Sequence, residues 1–183
     1  MCISLPDLSI YSIILGCDRV KKRLFSFLLC LVMCLSLLPV SAAADGIAID
    51  ASHFPDSKFR AQIMACYDKD SNGQLDETEI SAVNDISCSD SGISTLQGIE
   101  FFTELYYLDC SSNQLTSLDV SNNTNLQQLF CHNNKLTSLN LLQNTNLQVL
   151  VCSNNRLTSL DMSASDELKT LSCDRNQIGR AHV

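Results

Sequence analysis

The feature that most constrains this chain is a block of 21 residues that recurs without a gap. Aligned on one leucine it reads LYYLDCSSNQLTSLDVSNNTN over 105–125, LQQLFCHNNKLTSLNLLQNTN over 126–146 and LQVLVCSNNRLTSLDMSASDE over 147–167. A fourth copy opens with LKTLSCDRNQ at Leu168, and a looser first copy, VNDISCSDSGISTLQGIEFFTE, occupies 83–104. Three full copies keep the frame LxxLxCxxNxLxxLx[VLM]. A unit this short cannot bury its apolar side alone, so copies must stack on one another.

Side chains alternate along a strand, so the fourth and sixth positions of each copy point inward together. That places Leu108/Cys110, Leu129/Cys131 and Leu150/Cys152 in the core. The second half of each copy adds Leu115/Leu118/Val120, Leu136/Leu139/Leu141 and Leu157/Leu160/Met162. No copy carries a long helical pattern. The expected fold is a repeat solenoid of leucine-rich repeats, with a concave parallel β-sheet and a convex side of short strands and turns. Asn113, Asn134, Asn155 and Asn176 recur where the strand bends, where a buried amide can satisfy backbone groups left unpaired by the turn.

Cysteines 88, 110, 131, 152 and 173 share the repeat period. Neighbouring strands are about 4.8 Å apart with parallel Cβ vectors, whereas a disulfide needs converging Cβ atoms at roughly 3.5–4.5 Å. Cysteine also packs as a small hydrophobe. A ladder of reduced core thiols is therefore expected.

Ahead of the repeats, YDKDSNGQLDETEI matches a twelve-residue calcium loop. Asp68, Asp70 and Asn72 fall at positions 1, 3 and 5, Gly73 at the sharp turn, and Gln74 at the backbone-carbonyl position 7. Asp76 stands at position 9 and Glu79 at the bidentate position 12, so Ca2+ is the expected ion. FPDSKFRAQIMACY before the loop predicts a helix with Phe59, Ile63, Cys66 and Tyr67 on one face. A solenoid leaves its terminal strand and core open, so this EF-hand-like segment, 45–82, is expected to cap the solenoid at 83–177.

The remaining segments read as processing signals or artefact. Lys21, Lys22 and Arg23 precede a 15-residue apolar run, Leu24–Leu38, and Ala42-Ala43-Ala44 follows it. This predicts a signal peptide over 20–44, the run being short for a membrane span. Val20 can derive from a GTG start codon, which makes residues 1–19 an expected start-site overcall. IGRAHV, 178–183, is what a common short-read sequencing adapter encodes, and it begins where the repeat pattern breaks. The natural chain is expected to continue beyond Gln177 in another sequence. From Asp45 onward there are 18 acidic and 8 basic side chains, a net charge of −10, which argues against nucleic acid or anionic membranes as partners.

The run ISTLQGIEFFTELYYLDCSSNQL resembles the first repeats of internalins, whose cap is EF-hand-like. FPDSKFR, the loop and the LTSLDV copies together resemble secreted leucine-rich repeat proteins of gut-dwelling bacteria. The resemblance covers roughly residues 47–177 and implies a secreted or surface binding protein. Internalin caps generally lack a full metal-ligand set, so the intact loop departs from them.

Binding by such an array is expected on the outward strand positions, where Tyr107, Asp109, Phe130, His132, Val149 and Val151 form one patch across three strands. A protein or glycan ligand fits this reading, with no nucleic acid and no membrane insertion after signal cleavage. Catalysis is not expected: outside the tail only His53 and His132 are present, and no nucleophile-elbow, zinc or phosphate-loop motif occurs. The alternative is that these repeats form the front module of a longer secreted enzyme.

Overall fold

The computed structural model describes residues 46–179. The expected start-site segment, the signal peptide and the last four residues lie outside the described residues.

The chain opens with a two-residue strand β1, Ile47–Ala48, followed by helix α1, Ser57–Cys66, strand β2, Gln74–Leu75, and helix α2, Glu77–Ser81. Five three-residue strands follow: β3, Asp85–Ser87; β4, Tyr107–Asp109; β5, Gln128–Phe130; β6, Val149–Val151; and β7, Thr170–Ser172. They form one parallel sheet in chain order. Its register is the repeat itself, with Ile86 beside Leu108, then Leu129, Leu150 and Leu171. The returning convex segments are turns, apart from a 3-10 turn at Ile99–Phe101 in the 22-residue first copy. The parallel-strand leucine-rich solenoid is therefore as read from the frame.

Leu108, Leu129 and Leu150 are fully buried, as are Cys110, Cys131 and Cys152. All six described cysteines are free thiols. Burial pushes the Cys88 thiol up to about 12 and the Cys152 thiol to about 11, and it pushes Cys110 and Cys131 up as well. These four thiols are therefore protonated at neutral pH.

Each recurring asparagine joins two coils. Asn134 Nδ2 donates to the carbonyls of Cys131 at 3.1 Å and Cys110 at 3.0 Å, while its Oδ1 accepts from Leu115 N at 3.0 Å. Asn113, Asn155 and Asn176 repeat the pattern with their own neighbours. The residue two after each ladder cysteine is left-handed: Asp90, Ser112, Asn133, Asn154 and Arg175 have φ between 50° and 55°. That reversal turns the chain out of the strand and brings the asparagine inward.

A second set lies on the opposite bend. Asn123 and Asn144 are fully buried. Asn123 Nδ2 donates to Ile99 and Phe102 carbonyls at 2.9 and 2.8 Å, and Asn144 Nδ2 to Val120 and Asn123 carbonyls at 3.0 and 2.9 Å. The third copy carries Ser165 here, and its Oγ is buried without a partner.

The N-terminal elements dock on the first coil through aromatic rings. Phe54 packs against Phe59, Phe101 and Phe102 at ring-centroid distances of 6.1, 5.8 and 6.4 Å. Gly98, with φ of 105°, lies under Phe54, where an added Cβ would fall 2.3 Å from the ring. Phe59 and Ile63 of α1 are buried as expected, but Cys66 is exposed. Cys66 shares that face by helical spacing, but it is the last residue of α1 and lies beyond the contact that buries Phe59 and Ile63.

Two outcomes are expected. Asn134→Ala leaves the Leu115 amide without a partner and takes one of two amide donors from the Cys110 and Cys131 carbonyls, and should cost about 1–3 kcal/mol, whereas Ser165→Asn should gain about 1 kcal/mol by bonding the Leu141 and Asn144 carbonyls; urea unfolding measures both. The native chain holds its thiol protons more tightly than the unfolded chain does. That contribution is complete below the ordinary thiol value of 9.0 and is lost as pH rises toward the folded values near 11 and 12. Urea midpoints should fall between pH 9 and 11, and native thiolate absorbance near pH 9 from Cys88, Cys110, Cys131 or Cys152 would contradict this.

Candidate metal loop and concave face

Helix α1 starts where Asp56 caps it, with Oδ1 accepting from Lys58 N and Phe59 N at 2.9 and 3.1 Å. It ends at Cys66 with Tyr67 as its C-cap, and the next residue is Asp68. From there the loop folds around its own carboxylates. Asp68 accepts from Asn72 N at 3.1 Å and Gly73 N at 3.0 Å, and Asn72 Oδ1 accepts from Gln74 N at 2.7 Å. Gly73 has φ of 78°, the left-handed turn its position requires. Glu79 Oε1 accepts from Lys69 N and Asp70 N, and its Oε2 accepts from Asp76 N at 3.2 Å, so this carboxylate ties the loop's start to its end. Asp76 caps α2 by accepting from Glu79 N at 2.8 Å.

Asp68, Asp70 and Glu79 offer carboxylate oxygens within 4.8 Å of one another. Asp68 and Glu79 are only 7% and 9% exposed. The two ion pairs among the described residues, His53–Asp50 and Arg175–Asp174, both lie elsewhere. Gathering carboxylates out of water with no basic partner is unfavourable unless a cation offsets it. The donor set is all oxygen, with Asn72, Gln74 and Asp76 spaced around it, which suits a hard divalent ion.

Ile47 and Ala48 pair antiparallel with Leu75 and Gln74 of the loop. Leu75, the apolar position of the loop, is fully buried. Sequence reading missed β1, since two residues display no period.

The loop is wired to the sheet edge by its neighbours. Tyr67 Oη donates to the Asp85 carbonyl at 2.9 Å and Gln62 Nε2 to the Ser87 carbonyl at 2.6 Å. These are alternate carbonyls of the terminal strand β3. Lys58 Nζ donates to Gly92 O at 3.1 Å, and Ser94 donates to Asp56 Oδ2 through its N and Oγ at 2.8 and 2.7 Å. Burial alone would raise the Asp56 carboxyl, but the Ser94 bonds outweigh it and hold it below the usual range. Side chains on α1 thus occupy hydrogen-bonding positions that an incoming strand would use.

On the concave face the register sets two rows. One runs Asp85, Tyr107, Gln128, Val149, Thr170; the other runs Ser87, Asp109, Phe130, Val151, Ser172. Tyr107 and Phe130 rings meet at 5.5 Å with a 43° tilt, and Val149 and Val151 are half-buried beside them. Asp109 Oδ1 accepts from Ser111 N and Oγ at 3.0 and 2.6 Å. His132 is half-buried with Nδ1 lacking a partner, and no hydrogen bond joins it to Asp109. Asp174, beyond the expected set, is held below the usual carboxylate range by the Ser153 and Ser172 hydroxyls. Burial, then the charges of Asp109 and Asp85, push the Tyr107 phenol up.

A family model described as "Leucine Rich repeats (2 copies)" matches residues 124–165 and 145–181. Internalin J of Listeria monocytogenes serotype 4b (strain F2365) is 37% identical over 71 residues, which is 39% of this chain and 8% of that protein. A solved functional domain of Internalin J, described as including a cysteine ladder, superposes with a TM-score of 0.68 at 36% identity, covering 74% of this chain and 30% of that one. An internalin structure from the same species (inlF) gives 0.62 at 23% identity over 77% of this chain and 49% of that one, a likeness of fold alone. This chain therefore spans a small part of the relatives it matches.

Proposed function

This chain is an internalin-like bacterial leucine-rich repeat protein, and from that premise we propose that it is a secreted or cell-surface binding protein. Its concave face takes a ligand, and calcium steadies its N-terminal cap. The observation that carries the binding role is the Tyr107–Phe130 contact with Val149 and Val151 alongside, an apolar patch on an otherwise polar sheet face. Aromatic side chains gathered in one patch are the usual source of interface energy.

The cap reading draws support from the donor set. Asp68, Asp70 and Asn72 would contribute side-chain oxygens, Asp76 a bound water, Gln74 its carbonyl, and Glu79 both carboxylate oxygens. Bound calcium supplies the positive charge that offsets the gathered carboxylates. The chain's own residues do the rest: Leu75 anchors the loop to the core, and Tyr67 carries its order to β3.

Two measurements test these roles. At calcium ten to a hundred times its dissociation constant, the fold should gain about 1.4–2.7 kcal/mol, seen as a higher unfolding temperature than in chelator. Glu79→Gln should abolish the difference, and equal melting of the unaltered protein with calcium and with chelator would overturn the metal reading. For the face, Tyr107→Ala with Phe130→Ala should cost about 2 kcal/mol or more in binding, read by titration against whatever ligand the intact face retains. Unchanged affinity would sink the concave-face reading.

A further inference from the structure

The geometry points to a partner whose contact segment places a Lys or Arg beside an apolar residue: the concave face pairs each of its two aromatics with an acid. This rests on the concave-face reading above and specifies the class of ligand. Asp85 is the register neighbour of Tyr107, and Asp109 is the register neighbour of Phe130. Both acids lie on the same flank, one strand before the ring they adjoin. An ammonium or guanidinium placed there meets a carboxylate and an aromatic face together, joining an ion pair to a cation–π contact.

Charge around the patch agrees. The outward positions of β3 to β7 carry acids and no Lys or Arg. Lys169, just before β7, turns its Nζ to Gln148 Oε1 at 2.9 Å, away from a role as a counter-charge to Asp109. Asp109 keeps Oδ2 free while Ser111 binds Oδ1, and Asp85 uses its backbone carbonyl, not its carboxylate, to meet the cap.

The apolar half of the recognition lies across the sheet. Val149 and Val151 are two strands beyond Tyr107 and Asp109, about 10 Å at ordinary strand spacing. An extended segment crossing the strands covers that distance in about three residues. A basic residue followed two or three positions later by an apolar one would engage both. A glycan suits the site less well. The two rings tilt 43° to each other instead of forming one stacking platform, and the adjoining valines offer no hydrogen bond.

The test is selection of a displayed random heptapeptide library on the purified chain, followed by titration of the enriched peptides. Enriched sequences should carry Lys or Arg two or three positions before an apolar residue. Their affinity should fall about tenfold with Asp85→Asn plus Asp109→Asn and should weaken with salt. The same peptides should lose binding to Tyr107→Ala with Phe130→Ala. Urea midpoints check that each variant still folds. Peptides that need the aromatics but carry no basic residue overturn this inference and leave the face reading standing. Peptides indifferent to both pairs of substitutions overturn both readings. A library that enriches nothing overturns the inference as well, whether or not the face retains neutral oligosaccharides from a parallel panel.

Discussion

Each coil of this solenoid reverses direction within a few residues, and every reversal leaves backbone groups facing inward with no strand to meet them. The asparagine amides at 113, 134, 155 and 176 resolve that constraint. One side chain binds carbonyls of two successive coils and receives an amide from a neighbour, so it acts as a backbone segment in miniature. The leucine core could slide along such a stack, since one methyl group is much like another. The asparagine bonds cannot, because their donors and acceptors recur only once per copy. Hydrophobic burial supplies the drive to stack, and the amide network supplies the register that brings the concave rows into line.

The same requirement explains the N-terminal elements. Strand β3 has one sheet neighbour and would otherwise present bare carbonyls to solvent. Gln62 of helix α1 and Tyr67 at its C-cap meet them, and the aromatic cluster around Phe54 holds the helix in place. The acidic loop follows that helix directly, so the loop's order and the edge's protection share one residue boundary, Tyr67–Asp68. Beyond that junction the sheet propagates by repetition, and the concave rows are set by which side chains each copy places outward.

Much of this was legible in the sequence because it obeys a period or a fixed spacing. The inward leucines and cysteines, the bend asparagines and the oxygen-rich loop all belong to that class. What escaped reading has no such regularity. Strand β1 is two residues long. Asn123 and Asn144 stand in polar turns where asparagine is ordinary, and Ser165 interrupts their series. The Phe54–Gly98 contact joins residues from different elements, which only the fold brings together. Cys66 was expected on the packed helix face, but hydrophobic character alone could not place a residue at the rim. On the concave face the outward rows followed from alternation, whereas the pairing of each acid with an aromatic required the register between strands.

The thiol ladder carries a consequence for the chain's early life. In the folded stack, parallel strand spacing keeps successive sulfurs from the converging approach that a disulfide demands, so the buried ladder thiols do not pair with one another while it stays folded. The unfolded chain has no such protection. Its cysteines, roughly one copy apart, can join freely and close loops that the coil spacing rejects. Time spent unfolded in an oxidising compartment therefore turns into cross-linked chain that cannot stack. A protein built this way is under pressure to fold fast, and local, copy-by-copy contacts are the topology that folds fast.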